Sequence, residues 1–536
     1  MGMRCGRSLL VALGCSVVLS ILPRVWGQSD TWQAIEFFNL TGGLNDSADP
    51  TVLSLQEASD LQNVVLTTFG GVARRDGFAA INSAVLSAAS TATGISFYKQ
   101  EDGTRFLVAT WSTGATDTIQ KMDYGAGTTG PDGTWDDVSG SLSLSWADDV
   151  FSDFATGRNA LVIEDGVTTT APYVLSGAAG TTFSLAGSPP NASMVEYHKR
   201  ILWLAGNSAI PSRVSFSNLD TIDTWTSTDT IDIETGDGQT ITALKSALDC
   251  LYVFKQFSIF RICGSNRDDF TVEQMVKGIG TPNNQAVTII NNQFVFMTSQ
   301  GDVAVYDGGV TVQIISSKIE TTLTGLNLNR LNRTVTAAFD EGTGDEDFYA
   351  CVSTSGNSTH NRLLQYDTLH KAWLKHVGIN CNSLAVYEIG TQQLALAFSD
   401  YAGRVHRYPT GSSDNGASIS AAYLTGHLSF GIPQQKTFRR LQPVFVQQTG
   451  NTNLTVEYRV DFATTGTSTT VSQAGSGATW DGSIYDTASW ADLSTTIANI
   501  DIHQTGNFLA WRIANTSEPF LVRGVRLWYE PTGRVQ

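Results

Sequence analysis

Apolar and polar residues alternate with a period of two over most of this chain. In Asp302-Val-Ala-Val-Tyr306, Val303 and Val305 fall on one face and Ala304 and Tyr306 on the other, and Asp307-Gly308-Gly309 then supplies the backbone freedom of a tight turn. Ala160-Leu-Val-Ile163 ends the same way in Glu164-Asp165-Gly166, and Tyr401-Ala-Gly403 separates Leu394 to Phe398 from Val405 to Tyr408. New strand-like runs begin near Gly94, Asp149, Met194, Ile241, Ala286, Val335 and Ser383, at spacings of 55, 45, 47, 45, 49 and 48 residues. A sheet of a few short strands cannot bury both faces alone and must stack on its neighbours, so this period predicts the blades of a β-propeller. Seven blades fit best, with six or eight open.

The pattern changes after Tyr408. Pro409-Thr-Gly-Ser-Ser-Asp-Asn-Gly416 is polar, turn-rich and without an apolar period, the grammar of a linker. Beyond it, Val444 to Val446, Leu454 to Val460, Phe508 to Ile513 and Val522 to Tyr529 alternate as the strands of a β-sandwich do. The expected organisation is an all-β chain: a signal-like segment over 1–27, a β-propeller over 28–408, a linker over 409–418 and a C-terminal β-sandwich over 419–536.

Composition agrees with the class. At 536 residues the chain exceeds one ordinary core, and its 15% of charged residues, 50 glycines and abundance of Thr, Ser, Val and aromatics favour strands and turns over helices. The formal charge is −17, and −20 without residues 1–27, since the loss of Arg4, Arg7 and Arg24 leaves 30 basic residues against 50 acidic ones. An acidic body repels nucleic acid and argues against sequence-reading DNA binding. At the N-terminus, Arg4 and Arg7, an apolar run from Leu9 to Leu22 and Val25-Trp26-Gly27 follow the order of a secretory signal. Fourteen residues are short for a membrane span.

Pro211-Ser-Arg-Val-Ser-Phe-Ser217, Trp225, Gly236-Asp-Gly238 and the hairpin-like Leu251 to Cys263 follow, in order, Gly42-Gly43, Asn63 and Arg74-Arg-Asp-Gly-Phe78. With these pieces the chain resembles, from about residue 37 onward, the β-propeller tail structural proteins of short-tailed bacteriophages, the tail nozzle or tail tubular B-like family. Gly42, Gly43, Asn63, Arg75, Gly77, Ser212, Arg213, Ser217, Trp225, Gly236, Asp237 and Gly238 carry the likeness. The resemblance implies a non-enzymatic virion component, a homo-oligomeric ring (a hexamer in the family) that contacts portal, adaptor and other tail proteins. It also implies passage of double-stranded DNA without sequence recognition. The alternative is an exported glycan-binding or adhesive propeller of the bacterial surface, which the signal-like start favours.

Catalytic and cofactor motifs add little. Gly125-Ala-Gly-Thr-Thr-Gly130 matches a dinucleotide fingerprint in letters, but Pro131-Asp-Gly133 follows where a helix must open, so a plain loop is expected. Asp340, Asp345 and Asp347 in Asp340-Glu-Gly-Thr-Gly-Asp-Glu-Asp347 are the calcium candidates, without the ordered spacing of a calcium loop; a solvated hairpin tip is the better reading. Pro131-Asp-Gly-Thr-Trp135 faintly matches the turn that decorates sialidase propellers and does not recur. No H-E-x-x-H, G-x-S-x-G or P-loop occurs, so neither enzyme activity nor a cofactor is expected. Seven Asn-x-Ser/Thr triplets, at Asn39, Asn45, Asn191, Asn332, Asn357, Asn453 and Asn515, matter only on a eukaryotic secretory route. Four cysteines remain after residue 27, at 250, 263, 351 and 381, which permits two bridges and requires none. A two-residue turn at Gln256-Phe257 would bring Cys250 opposite Cys263 in a non-hydrogen-bonded pair, where a disulfide is geometrically feasible. Gln-Phe is a poor primed turn, so a longer loop with another register is the competing outcome.

Overall fold

The computed structural model describes residues 32–532 apart from 87–89, 115, 126–129, 147–149, 178, 343, 391–392, 433, 447, 449–451 and 474–494. The signal-like segment over 1–27 and part of the Gly125 to Gly130 loop lie outside the described residues. Over the described residues the chain is all-β, with seven four-stranded antiparallel sheets and two larger ones; the α-helix Glu320–Thr324 is little more than a single turn.

Each of the first six four-stranded sheets is a continuous meander. They open with Thr91–Lys99, Asp153–Gly157, Met194–His198, Ile241–Ala247, Val287–Ile290 and Val335–Phe339, and the seventh opens with Ser383–Gly390. Four of these starts coincide with those expected from the sequence, and the other three lie within four residues. The opening strands touch one another in cyclic order, the seventh returning to the first, so the arrangement is propeller-like. The seventh sheet takes Ser383–Gly390, Gln393–Ser399 and Val405–Tyr408 from the end of the ring and its outermost strand, Ala79–Ala80, from before the first sheet. Alternation decides which neighbour each face meets: Ala304 and Tyr306 pack with Phe254 and Phe294 of the preceding strands, while Val303 packs on the opposite side with Met297 and Ile319.

A repeated turn pins the inner hairpins. Arg158-Asn159, Lys199-Arg200, Leu248-Asp249 and Asn291-Asn292 all have both φ angles between 48° and 66°, joining strands paired as Gly157↔Ala160, His198↔Ile201, Ala247↔Cys250 and Ile290↔Gln293. Positive φ at both central residues is the type I′ geometry, whose twist matches that of the flanking strands.

The remaining two sheets mix both ends of the chain. Gln33–Phe37, Val64–Leu66 and Val72–Arg74 join Lys436–Val446, Thr495–Ile497, Ile500–Gly506 and Leu521–Pro531 in a seven-stranded sheet. Gly43–Leu44 and Glu57–Gln62 join Ala421–Thr425, Thr452–Val460, Thr467–Gln473 and Leu509–Asn515 in a six-stranded one. Residues 33–74, expected inside the propeller, therefore pair with the C-terminal strands instead; Gly43–Leu44, Val64–Leu66 and Val72–Arg74 carry too little alternation to declare a partner, and the alternation of Gln33–Phe37 and Glu57–Gln62 marks a strand without naming the one it joins. Phe37, Leu441, Val522 and Leu527 of one sheet share a cluster with Tyr423, Val456 and Trp511 of the other. That cluster continues into Val295, Met297, Phe348 and Trp373 of the fifth and sixth sheets, so ring and two-sheet body have a common core.

Candidate functional site

The residues that carry the phage-tail likeness fall into two groups. Gly42, Gly43, Asn63, Arg75 and Gly77 gather where the ring meets the two-sheet body. Arg75 is completely buried, and its guanidinium donates to both carboxylate oxygens of Asp414 at 2.8 and 2.7 Å, to Asn63 Oδ1 at 3.0 Å and to the Val377 carbonyl at 3.1 Å. Asn63 Oδ1 also accepts the Val377 amide, and its Nδ2 donates to the Ser420 carbonyl. A Cβ on Gly77 would stand 1.9 Å from the Ser413 carbonyl oxygen, and one on Gly43, at φ +68°, would meet Ala372 and Trp373 within 3.0 Å. Only glycine allows either approach.

The expected linker is the other half of this junction. Gly77 exchanges backbone hydrogen bonds with Thr410 and Gly411, Phe78 with Ser413 and Asn415, and Arg74 donates to the Ser412 carbonyl. The 409–416 segment is thus tied down along its length. Its polar composition supplies Asp414 and backbone acceptors to a neighbouring strand, which sequence alone does not distinguish from a solvated loop.

The second group lies on the third sheet and where it meets the fourth. Lys255 is wholly buried and donates to Asp237 Oδ2 at 2.8 Å, the Glu234 carbonyl at 3.0 Å and Ser212 Oγ at 3.3 Å. Gly236 and Gly238, at φ +90° and +74°, present Asp237 to it. Ser217 accepts the Leu202 amide and donates to the Thr221 carbonyl at a bulge that pairs it with Trp225. Arg213 pairs with Asp232 at 2.6 Å. Arg213 and Trp225, with Asn191, Leu204, Ser215 and Thr230, line a cavity of about 550 Å³ between the third sheet and the 187–191 segment that leads into it.

Polar bonds cross the ring near its axis. The 3-10 turn Asn284–Ala286 of the fifth sheet sends Asn284 Nδ2 to Asp153 Oδ2 at 2.6 Å and Gln285 Nε2 to the Ser152 carbonyl at 3.0 Å, both on the second sheet. Asp153 also accepts the Val195 amide. Burial raises its pKa despite these donors and the nearby Lys245. Glu196, beside Lys245 and Asp153, is pushed up to about 7 by burial.

Two of the calcium candidates accept hydrogen bonds within the chain. Asp340 Oδ1 accepts the Gly342 amide, and Asp347 takes the Gln365 amide side chain and the Thr368 backbone amide. No group of three His, Cys, Asp or Glu side chains arranged to hold a metal occurs among the described residues. Cys250 and Cys263 are disulfide-bonded with Cα atoms 4.6 Å apart, in the register Leu251↔Ile262 to Phe254↔Ile259. The two-residue turn is held from outside, by the Gln239 side chain accepting the Phe257 amide and by the Gly278 amide donating to the Phe257 carbonyl. Cys351 and Cys381, whose pairing the sequence left open, form a second disulfide from the sixth sheet to the approach of the seventh. Lys255 and Asp414 escaped sequence reasoning. Lysine inside an apolar strand and aspartate in a polar loop were the available signals.

No family model and no curated protein matches the sequence. Among solved structures, the chain is similar to the N-terminal domain of Nup159 (12% identity, 65% of this chain and 97% of that one, TM-score 0.36). It is similar also to the Pan2 WD40 domain of Neurospora crassa (10%, 63% and 95%, 0.37). An exo-β-1,3-galactanase from Phanerochaete chrysosporium shares 8% identity over 70% of this chain and 95% of that one, at a TM-score of 0.26. The chain spans 58% of the extracellular domain of a putative hybrid two-component system from B. thetaiotaomicron that it also matches. The class of the chain, all-β and propeller-like, is given by its own sheet order and the cyclic contacts of the opening strands.

Proposed function

We propose that this chain is a non-enzymatic structural protein of a phage tail: a seven-bladed β-propeller with a β-sandwich built from both chain ends, acting as one rigid subunit of a closed ring. The observation that carries the reading is the junction of Asn63, Arg75 and Gly77 with 410–420, where the residues of the likeness tie ring to body and are left with no chemistry to perform. A subunit locked in this way presents fixed surfaces, and one heterologous interface repeated between copies then closes under cyclic symmetry. The genome would pass through the lumen between copies, not along the axis of one propeller, which the 284–286 turn crosses. Acidic walls would keep phosphates from adhering. Mass spectrometry of purified particles and negative-stain imaging of the isolated protein test this: chain in the particles and rings in the images are expected, and absence from particles with a monomer in solution overturns it.

The two disulfides favour a second reading, an exported binding propeller of the bacterial surface, because such bonds form and persist in oxidising compartments. Peptide mapping without reductant separates the two. Bridged cysteines on a chain processed after residue 27 support export, and free thiols with an intact Met1 segment refute it.

A further inference from the structure

Beside the sixth and seventh sheets stands an arginine with no counterion among the described residues. Arg407, on the strand Val405–Tyr408, has a buried Nε that meets no acceptor, and its guanidinium makes no ion pair with any described residue. Arg404, on the same hairpin, donates instead to the Asn82 carbonyl. Arg407 forms the wall shared by two cavities of about 370 and 470 Å³, within the size range of small-ligand pockets. Ile389 also lines both, Tyr387 the smaller, and Leu394 and Pro409 the larger.

The acids of these cavities are already engaged. Asp340 accepts the Gly342 amide, Asp132 the Thr134 amide, and Glu341 accepts from the Tyr349 hydroxyl. Burial of Glu341 pushes its pKa up to about 7, which weakens its competition for the guanidinium. No ion pair with a described residue offsets the charge of this half-buried guanidinium, and an anion at its Nη edge, facing the cavities, would do so. The planar fork of a guanidinium matches the two oxygens of a carboxylate.

We propose that the cleft around Arg407 binds a carboxylate carried on a short apolar body, the guanidinium taking the two oxygens and Ile389 and Leu394 the hydrocarbon. Titration calorimetry on the full chain with sodium hexanoate, and with hexanamide as its uncharged counterpart, tests the assignment. Saturable binding of hexanoate is expected, at least tenfold weaker for the amide and at least tenfold weaker in Arg407→Gln. Leu394 is more than half exposed, so Leu394→Trp fills the cleft without disturbing the core and is expected to weaken hexanoate binding as well; it decides the matter if Arg407→Gln does not fold. Absence of saturable binding, equal binding of the amide, or unchanged binding in the folded variants overturns the proposal. Displacement of hexanoate by an equal concentration of inorganic phosphate overturns its carboxylate class.

Discussion

Lys255 shows how much a single buried charge commits this chain. Its ammonium is satisfied by Asp237, Ser212 and the Glu234 carbonyl, so Asp237→Ala strands a cation in the core, whereas Lys255→Met removes it and leaves a carboxylate near solvent. Removal of one partner from a buried pair costs about 3–5 kcal/mol, while an apolar replacement of the cation costs much less. Urea unfolding is expected to rank Asp237→Ala well below Lys255→Met, and equal midpoints would contradict this account. His360 sets a pH dependence. Its Nδ1 lies 2.7 Å from the Cys381 carbonyl, its Nε2 is buried without an acceptor, and burial pulls its pKa down to about 4. With the folded value below the ordinary 6.5, the unfolded chain takes up the proton first as pH falls. The contribution is complete above about pH 6.5 and is lost towards pH 4, by up to about 3 kcal/mol for a shift of this size. Glu341 and Glu196, both raised to about 7, act in the opposite sense between their ordinary value and neutrality. The measurement is therefore the difference between wild type and His360→Asn: the advantage of Asn should grow as pH falls from 6.5 to 4.5.

At the scale of elements, the type I′ turns and the clamped segment at 409–416 matter most. Leu248 adopts φ +51° with its side chain partly exposed, a conformation that costs a branched residue about 1–2 kcal/mol and Asn much less. Leu248→Asn should raise the melting temperature by a few degrees; a drop would mean that the contact of Leu248 with the Gly308 turn outweighs backbone strain. The 409–416 segment reads as a protease target, yet its backbone is bonded to 77–78 and its Asp414 to Arg75. Native protein should resist cleavage there, and Arg75→Ala should open it, with the first cut detectable by mass spectrometry between 409 and 418. Early cleavage of wild type at that site would show the clamp to be weak.

For the whole molecule, the two chain ends act on both bodies. Ala79–Ala80 closes the seventh sheet, and 33–74 complete the two larger sheets, so neither body is a contiguous piece of sequence. In the shared cluster, Phe37, Leu44, Leu61 and Val72 of the N-terminal strands and Met297 and Trp373 of the ring cover apolar side chains of 409–536, which a fragment of that range alone would leave exposed. Expressed by itself, that fragment should lack a cooperative unfolding transition, and the full chain should unfold in one. A sharply melting fragment would restore the independent C-terminal domain that the strand pattern suggested.

Alternation and turn chemistry determined the local units: the strand at 303–306 with its Asp-Gly-Gly turn, and opening strands close to where the 45-to-55-residue spacing put them, while the register bringing Cys250 opposite Cys263 was one of two left open and is held by Gln239 and Gly278 at the turn. These depend on residues two to fifteen apart, whose side chains face each other as soon as a strand forms. What only the tertiary structure decided is pairing across hundreds of residues. Ala79 meets Arg407, Arg75 meets Asp414, and Gln33 meets Tyr529. Nothing local marks an aspartate in a polar loop as the counterion of an arginine 339 positions away. A strand of two or three residues likewise has no period from which to name its partner. The choice falls to the shared core, because a strand edge and a buried charge are stabilised only by the partner that excludes water from them.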